Sequence, residues 1–441
     1  MKISKVTLQN EISSALACFL GLNRIYIGYS GGVDSHVLLH ACAAIPELKK
    51  KITAVYIHHG LQKEADDWAI HCQQISETLD VHFLIKHVNA VATQGESPEE
   101  AARNARYNAF ESLIEANDVL LIAQHREDQL ETVLLQLFRG SGLKGLAGMP
   151  EKMAFGKGWL LRPLLNVGKD IINNYAIQNQ LQWIEDPSNQ SNVYDRNFLR
   201  QEIIPQLKQR WSSLDKTVAR TAKHCAEAQV LQCKMTKTAF ETVFNSDDKT
   251  IAIPELLTYS LIEQRLILRQ WFENLALRMP SQNFVQRILD EVVAARIDSS
   301  PILAGQGITI RRYRTKLYAV THALTGFETC YWQQGKTTLT LSNQQVLTIL
   351  PSECGISSEL WNDAKIMVKM RQGGEKIVLP NRTGHHDLKK LFQEANIPPW
   401  QRDVMPLIYL NDELAVVGTL WIASKFYVTQ NAVIISNSSP R

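Results

Sequence analysis

Four short apolar runs with strand-like continuity punctuate the first 125 residues: RIYIGY (24–29), ITAVYIHH (52–59), VHFLIKH (81–87) and DVLLIAQ (118–124). Between them the apolar residues recur at helical spacing. This alternation predicts an α/β fold, a parallel sheet with helices on both faces. One helix start is strongly marked: in SPEEAARNARYNAFESLIEA, Ser97 stands at the N-cap, Pro98 at the first helical position and Glu100 closes a capping box. The alternation runs to about DPSNQSNVYDRNFLRQEIIPQL. The next stretch, RWSSLDKTVARTAKHCAEAQVLQCKMTKTAFETVF, contains neither Gly nor Pro and keeps a helical period. The pattern predicts three domains: an α/β domain over 1–214, a mostly helical one with a β segment over 215–349, and a small α+β domain over 350–441. The last contains the short basic helix DLKKLFQEA and the strand pair PLIYLNDELAVVG, turning at Asn411 and Asp412.

Composition narrows the function classes. A chain of 441 residues exceeds what one hydrophobic core usually serves. With 45% hydrophobic and 21% charged residues it has globular composition, and no apolar run approaches the ~20 residues of a membrane-spanning helix. The start, MKISKVTLQNEISSALACFLGLNR, is amphipathic rather than a secretory signal. Seven cysteines without a C-x-x-C pair argue against a zinc knuckle, a redox dithiol or a disulfide framework, and fit reduced residues in the cytoplasm. A net charge of +3 identifies no nucleic-acid partner, so local clusters must decide.

The chemistry is announced by SGGVDS, residues 30–35, between the first strand and the helix HVLLHACAA. A strand-to-helix turn of this kind points backbone N–H groups and a helix N-terminus at one anion. Gly31 and Gly32 permit close approach, Ser30 and Ser35 add hydroxyls, and Val33 continues into the helix. A Walker loop would carry a Lys here for γ-phosphoryl transfer. This loop carries Asp34 instead. A carboxylate beside phosphates implies Mg²⁺ and a bound pyrophosphate moiety, so the bond to break is α–β.

At this point the chain resembles the PP-loop, or N-type, ATP pyrophosphatases, a superfamily with a Rossmann-like catalytic domain. HHGL (58–61), EAARNARYNAF (100–110), AQHREDQLETVLLQLFRGSGLKGLAGM (123–149), WIEDPSNQSNVYDRNFLR (183–200) and LKKLFQEANIPPWQRDVMPLIY near the C-terminus narrow the resemblance to the tRNA(Ile)-lysidine synthase family. That resemblance implies ATP with Mg²⁺, L-lysine and the CAU-anticodon tRNA(Ile) as substrates. The wobble cytidine would be adenylated at O2 and then attacked at C2 by the lysine ε-amine. The rival within the superfamily is a tRNA sulfurtransferase, which the absence of C-x-x-C disfavours. A catalytically silent RNA-binding protein is the rival outside it, and the intact loop argues against that. The sequence leaves the oligomeric state open, a homodimer included.

Residue by residue, the resemblance and the local chemistry are complementary. On the helix after the fourth strand, Leu130, Val133, Leu134 and Leu137 form an apolar stripe, while Asp128 and Glu131 share another face, where two carboxylates can grip one ammonium. As plain helix-dipole partners they would need no substrate; the resemblance assigns them to lysine. Glu127 departs from the family's usual aspartate. Arg103 and Arg106 point one way on the capped helix, and Arg106 is the expected reacting-site arginine. By resemblance Arg196 clamps the lysine carboxylate, whereas Arg200 is expected to be structural or to touch RNA. RGSGLKGLAGM reads either as a pliable loop that closes over a base or as a connector. His58 and His59 read as structural or nucleotide-lining rather than zinc ligands. For tRNA the candidates are Arg311, Arg312 and Arg314 around Tyr313, then Lys389, Lys390 and an exposed Trp400.

Overall fold

The computed structural model describes residues 5–19, 21–60, 64–91, 98–187, 194–296, 299–320 and 326–438. They form two compact units, 1–235 and 236–441. In the first, α1 (Lys5–Leu16) precedes β1 (Ile25–Gly28), α2 (Val33–Ala43), α3 (Pro46–Lys49), β2 (Ile52–His58), α4 (Ala65–Thr78), β3 (His82–His87), α5 (Pro98–Glu111), β4 (Val119–Leu121), α6 (Arg126–Phe138) and α7 (Leu143–Leu146). A hairpin of β5 (Lys152–Phe155) and β6 (Gly158–Leu161) follows, then α8 (Lys169–Gln178), α9 (Asp195–Phe198), a π-helix (Leu199–Ile203), α10 (Ile204–Arg210) and α11 (Leu214–Val243).

All four strands expected from the sequence lie in one sheet of order β3-β2-β1-β4-β6-β5, parallel except for the edge strand β5. Alternate side chains feed opposite cores. Ile25, Ile27, Ala54, Tyr56, Val119 and Leu121 enter one, while Tyr26, Val55, Ile57, Leu120 and Leu160 enter the other. Burial on both faces is why these strands read as nearly continuous apolar runs. The order reverses direction between β1 and β4, and in such sheets the C-terminal ends of the strands at that point are the usual ligand position. The expected cap Ser97 lies outside the described residues; α5 is helical from Pro98.

The second unit holds two cores. One packs the helix Leu261–Asn274, through Ile267, Leu268, Trp271 and Phe272, with Ile310 and Leu317 of a five-stranded antiparallel sheet. The other runs from Phe327 to Ile435. The boundary expected at 350 falls inside the strand Val346–Ser352, which pairs along its whole length with Ala432–Ser438. Residues from Phe327 therefore belong with the C-terminal core. Nothing local in TTLTLSNQQVLTIL separates it from the middle domain, because a strand's partner, here some 85 residues away, leaves no local signature.

Candidate active site

Three parallel strands deliver the site. The turn after β1 carries the glycine loop, the turn after β4 carries His125 at the N-cap of α6, and the chain after β6 leads to Lys169, the first residue of α8. In the loop, Gly31 has φ +81, and a Cβ there would lie 2.6 Å from Ile184 Cδ1, so a side chain is excluded both by conformation and by space. At Gly32 a Cβ would meet only Ser30 Oγ, at 3.6 Å, which leaves the loop's open side beside it. The Ser35 hydroxyl does not face outward as expected. It is buried, donates to the Gly32 carbonyl at 2.9 Å and accepts from the Ser30 N–H at 3.2 Å, so it sets the loop's shape, whereas Ser30 is exposed.

The lysine missing from the loop sequence is supplied in space. Lys169 Nζ donates to Asp34 Oδ1, and the Lys169 backbone N–H donates to Glu127 Oε2 at 3.0 Å. A cation at a helix's first residue opposes the helix dipole, so the Asp34 carboxylate is what holds it there. His125 sits between the groups: its Nε2 is 3.7 Å from Asp34 and 3.4 Å from Asp128, its Nδ1 3.4 Å from Glu127. Burial disfavours a charged His125, but the three carboxylates outweigh it and lift the imidazole to about 9. Glu127 is correspondingly held at about 2: burial opposes this, and His125, the Lys169 N–H and Lys208 overcome it. Lys208 Nζ reaches Glu127 at 3.3 Å. Asp34 too is lowered by His125 and Lys169, against its burial.

These shifts have a sign. The stability gained from charged His125 is fully present below its unfolded value of 6.5 and is lost as pH rises through about 9. That from Glu127 is present above 4.5 and is lost as pH falls through about 2. Thermal melts between pH 6.5 and 9 are expected to show His125→Gln flattening the alkaline decline, of order 2–3 kcal/mol. An unchanged slope in the variant would show that His125 is neutral.

The acidic pair faces as expected, but its partners are arginines. Glu131, with its side chain 1% exposed, accepts from Arg196 Nε at 2.8 Å and from Arg200 Nε at 2.6 Å. Arg200 Nη2 also reaches Glu131 Oε2 at 2.9 Å and Asp128 Oδ1 at 3.0 Å. One guanidinium thus spans both carboxylates, which agrees with the structural role expected of Arg200 and sets it directly beside the acidic pair. Beneath them Leu130 packs with Leu199 and Ile204, while Leu137, expected in the stripe, is exposed because α6 outruns its cover. Arg126 ties the start of α6 to α11 through Asp215, at 2.5 Å.

Other expectations fare differently. Arg106 lies near His59, whose pKa is lowered first by burial and then by that cation, and sits 5.8 Å from the Tyr107 ring. Arg103 lies over the same ring at 5.0 Å. His58 bonds Asp66 at 3.1 Å and lies 4.7 Å from the His87 ring, tilted by 39°. RGSGLKGLAGM is pinned rather than pliable: α7 forms within it, and the Gln129 side chain both donates to and accepts from the Met149 backbone, at 3.0 and 2.8 Å. In the second unit Arg312 is buried and donates to the carbonyls of Val293 and Ala295, so it is a structural brace and not an RNA contact. Trp400 is half-buried, edge-on to Tyr313 and Tyr318 and under Arg311 at 5.1 Å. Arg314 is exposed and donates to Asn396 and to the Gln393 carbonyl. Lys389 and Lys390 are exposed, because Leu388, Leu391 and Phe392 take the buried face of their helix.

Sequence reasoning missed Lys169 and Lys208 and undervalued His125. Only Lys169 left a signal: a lysine opening a helix, against the dipole.

Comparison with known proteins places this geometry. Residues 4–207 match the PP-loop domain, 252–318 the TilS substrate binding domain and 366–436 the TilS substrate C-terminal domain. The chain is 40% identical to the tRNA(Ile)-lysidine synthase of Methylococcus capsulatus, over 91% of this chain and 92% of that one. It is 37% identical to the enzyme of that name from Legionella pneumophila subsp. pneumophila, over 97% of each, and 39% identical to that from Coxiella burnetii, over 89% and 88%. A glycine loop without a Walker lysine, an acidic pair on the helix after β4, and both substrate-binding domains downstream all meet in one chain, which belongs to the tRNA(Ile)-lysidine synthase family.

Proposed function

We propose that this chain converts the wobble cytidine of tRNA(Ile) with a CAU anticodon to lysidine, consuming ATP and L-lysine and releasing AMP and pyrophosphate. The carrying observation is that the phosphate loop and the acidic pair share one end of the sheet, joined by His125, which is within 3.7 Å of Asp34 and 3.4 Å of Asp128. Cytosine C2 is a poor electrophile with a poor leaving oxygen. Attack of O2 on the α-phosphate expels pyrophosphate and makes that oxygen part of AMP; the lysine ε-amine then adds at C2 and AMP departs.

The residues divide this work. Ser30, Gly31, Gly32 and Val33 present the loop to the triphosphate. Lys169 and protonated His125 supply positive charge there, and Arg106 is assigned to the reacting phosphate. Asp34 is a hard carboxylate donor of the kind Mg²⁺ takes, and Lys169, which engages it here, would have to yield to the metal. No group of three or more His, Cys, Asp or Glu among the described residues forms an ion cage, so Asp34 would share the metal with ATP oxygens, which suits Mg²⁺. When bound, the metal would offset the charge on the departing pyrophosphate. The lysine amine, with a pKa near 10.4 in water, must lose a proton. His125 is charged below about 9 and so is not a resting base. Asp128 and Glu131 either take that proton or hold the α-ammonium.

The thiols of the helices Val33–Ala43 and Ala65–Thr78 do not favour sulfur transfer. Burial pushes Cys42 up, and Cys72 to about 12, the opposite of an activated thiolate. Among the described residues no helix is long and apolar enough to cross a membrane; a reaction on tRNA with ATP and lysine belongs in the cytoplasm. The test is pyrophosphate release with ATP, lysine and tRNA, each omitted in turn, and lysine incorporation into tRNA. Sulfur incorporation, or release that needs no tRNA, would overturn the reading.

The second unit is assigned to the tRNA body, through exposed Lys389, Lys390 and Arg314 and the rim of Arg311 and Trp400. Neutralising Lys389 and Lys390 together is expected to weaken tRNA binding and to flatten its salt dependence by up to about 0.7 to 0.9 log units per lost phosphate contact, with ATP affinity unchanged. A binding titration across salt concentrations checks this. Wild-type affinity and slope would remove this helix from the interface.

A further inference from the structure

Two arginines reach Glu131, but they are held differently. Arg196 has additional neutral partners: its Nη2 donates to Thr132 Oγ1 at 3.3 Å and to the Asp128 carbonyl at 3.4 Å, and its side chain is 22% exposed. Among the described residues the hydrogen bonds of the Arg200 side chain go to the two carboxylates, and that side chain is 44% exposed. It sits on the π-helix Leu199–Ile203, a geometry frequent at functional sites. Arg196, expected to clamp the lysine carboxylate, is therefore built in, its guanidinium committed to Glu131, Thr132 and the Asp128 carbonyl. Among the described residues Arg200 is held by carboxylates and by no neutral partner, Asp128 and Glu131 directly, at the position the same pair would offer an ammonium.

We infer that Arg200 is the specificity-determining residue for the amino-acid head group: it occupies the place of the lysine α-ammonium and exchanges partners when lysine binds. The inference rests on the lysine reading above, with Asp128 and Glu131 holding the α-ammonium. The incoming α-ammonium takes Asp128 and Glu131, and the released guanidinium takes the lysine α-carboxylate, to which its planar fork is matched. No covalent bond changes and no proton moves. Every charged group keeps an opposite partner, so a zwitterionic head enters at little electrostatic cost. A diamine without the carboxylate, such as cadaverine, must evict Arg200 and leave it without an acceptor. Cadaverine presents the same reactive amine on the same carbon chain, so rejecting it requires a device of this kind.

The test measures KM for lysine and the competitive Ki of cadaverine in complete tRNA-labelling reactions, for the wild type, Arg200→Gln and Arg200→Lys. In Arg200→Gln the lysine KM is expected to rise while the cadaverine Ki falls or holds. Their ratio then collapses by roughly 10- to 150-fold, the range of a charge-assisted hydrogen bond. Arg200→Lys keeps a cation without the fork and is expected to fall in between; it carries the test where thermal melts show Arg200→Gln unfolded. A ratio that stays at the wild-type value in the folded variants, with both constants moving together, would make Arg200 a brace and overturn the inference. Labelling of tRNA by the wild type that shows no dependence on lysine would instead overturn the lysine reading, and this inference with it.

Discussion

Asp34→Asn is expected to reduce pyrophosphate release by on the order of 10²- to 10³-fold, the scale for losing one preorganised electrostatic group. The substitution is nearly isosteric, so the loop should keep its shape, which depends on Ser35 and Gly31 rather than on Asp34. What changes is charge. Lys169 and His125 lose the carboxylate they share, and the site loses its hard donor. Binding of ATP should persist on the two remaining cations, and tRNA affinity should be unaffected, because its assigned residues lie in the second unit. Pyrophosphate release and tRNA filter binding, measured on the same preparation, separate the two. Parallel loss of both would show that the loop also supports the tRNA site.

Glu131→Gln is expected to have two effects. The lysine KM should rise roughly 10- to 150-fold, as a charge-assisted hydrogen bond is replaced by a neutral one. Adenylated tRNA should then accumulate at low lysine. Stability should also fall by about 1–3 kcal/mol, less than the ~3–5 of a fully buried pair, because Arg196 and Arg200 both reach solvent. Asp128→Asn should cost less on both counts, since its carboxylate is more exposed, at 16% against 1%. A lysine saturation curve and a thermal melt are the measurements. An unchanged KM with lowered stability would reduce the pair to a structural anchor for the arginines.

The central strands were legible because both faces of each are buried, which makes the apolar run longer than chance. The glycine loop was legible because turn, helix start and hydroxyls all lie within six residues. The electrostatic centre was not. Asp34, His125, Lys169 and Lys208 come from four separate parts of the chain, and nothing in their local spacing shows that they meet. The edge hairpin β5–β6 also escaped notice, since β5 is mostly exposed and carries no apolar alternation. Arg312 could have been read correctly. It continues the every-second-residue inward face of Ile308 and Ile310, and that periodicity outweighs its membership of a basic cluster.

The π-helix has a consequence for deletions. An α-helix turns about 100° per residue, and a wider turn of this kind amounts to one extra residue accommodated within it. A single-codon deletion between Arg196 and Arg200 would therefore leave a perfectly good helix. It would also swing the second guanidinium roughly a quarter-turn away from Glu131. The length of this segment, and not only its composition, is thus a condition of the pairing: an in-frame deletion here is expected to part Arg200 from Glu131 where a conservative substitution would not.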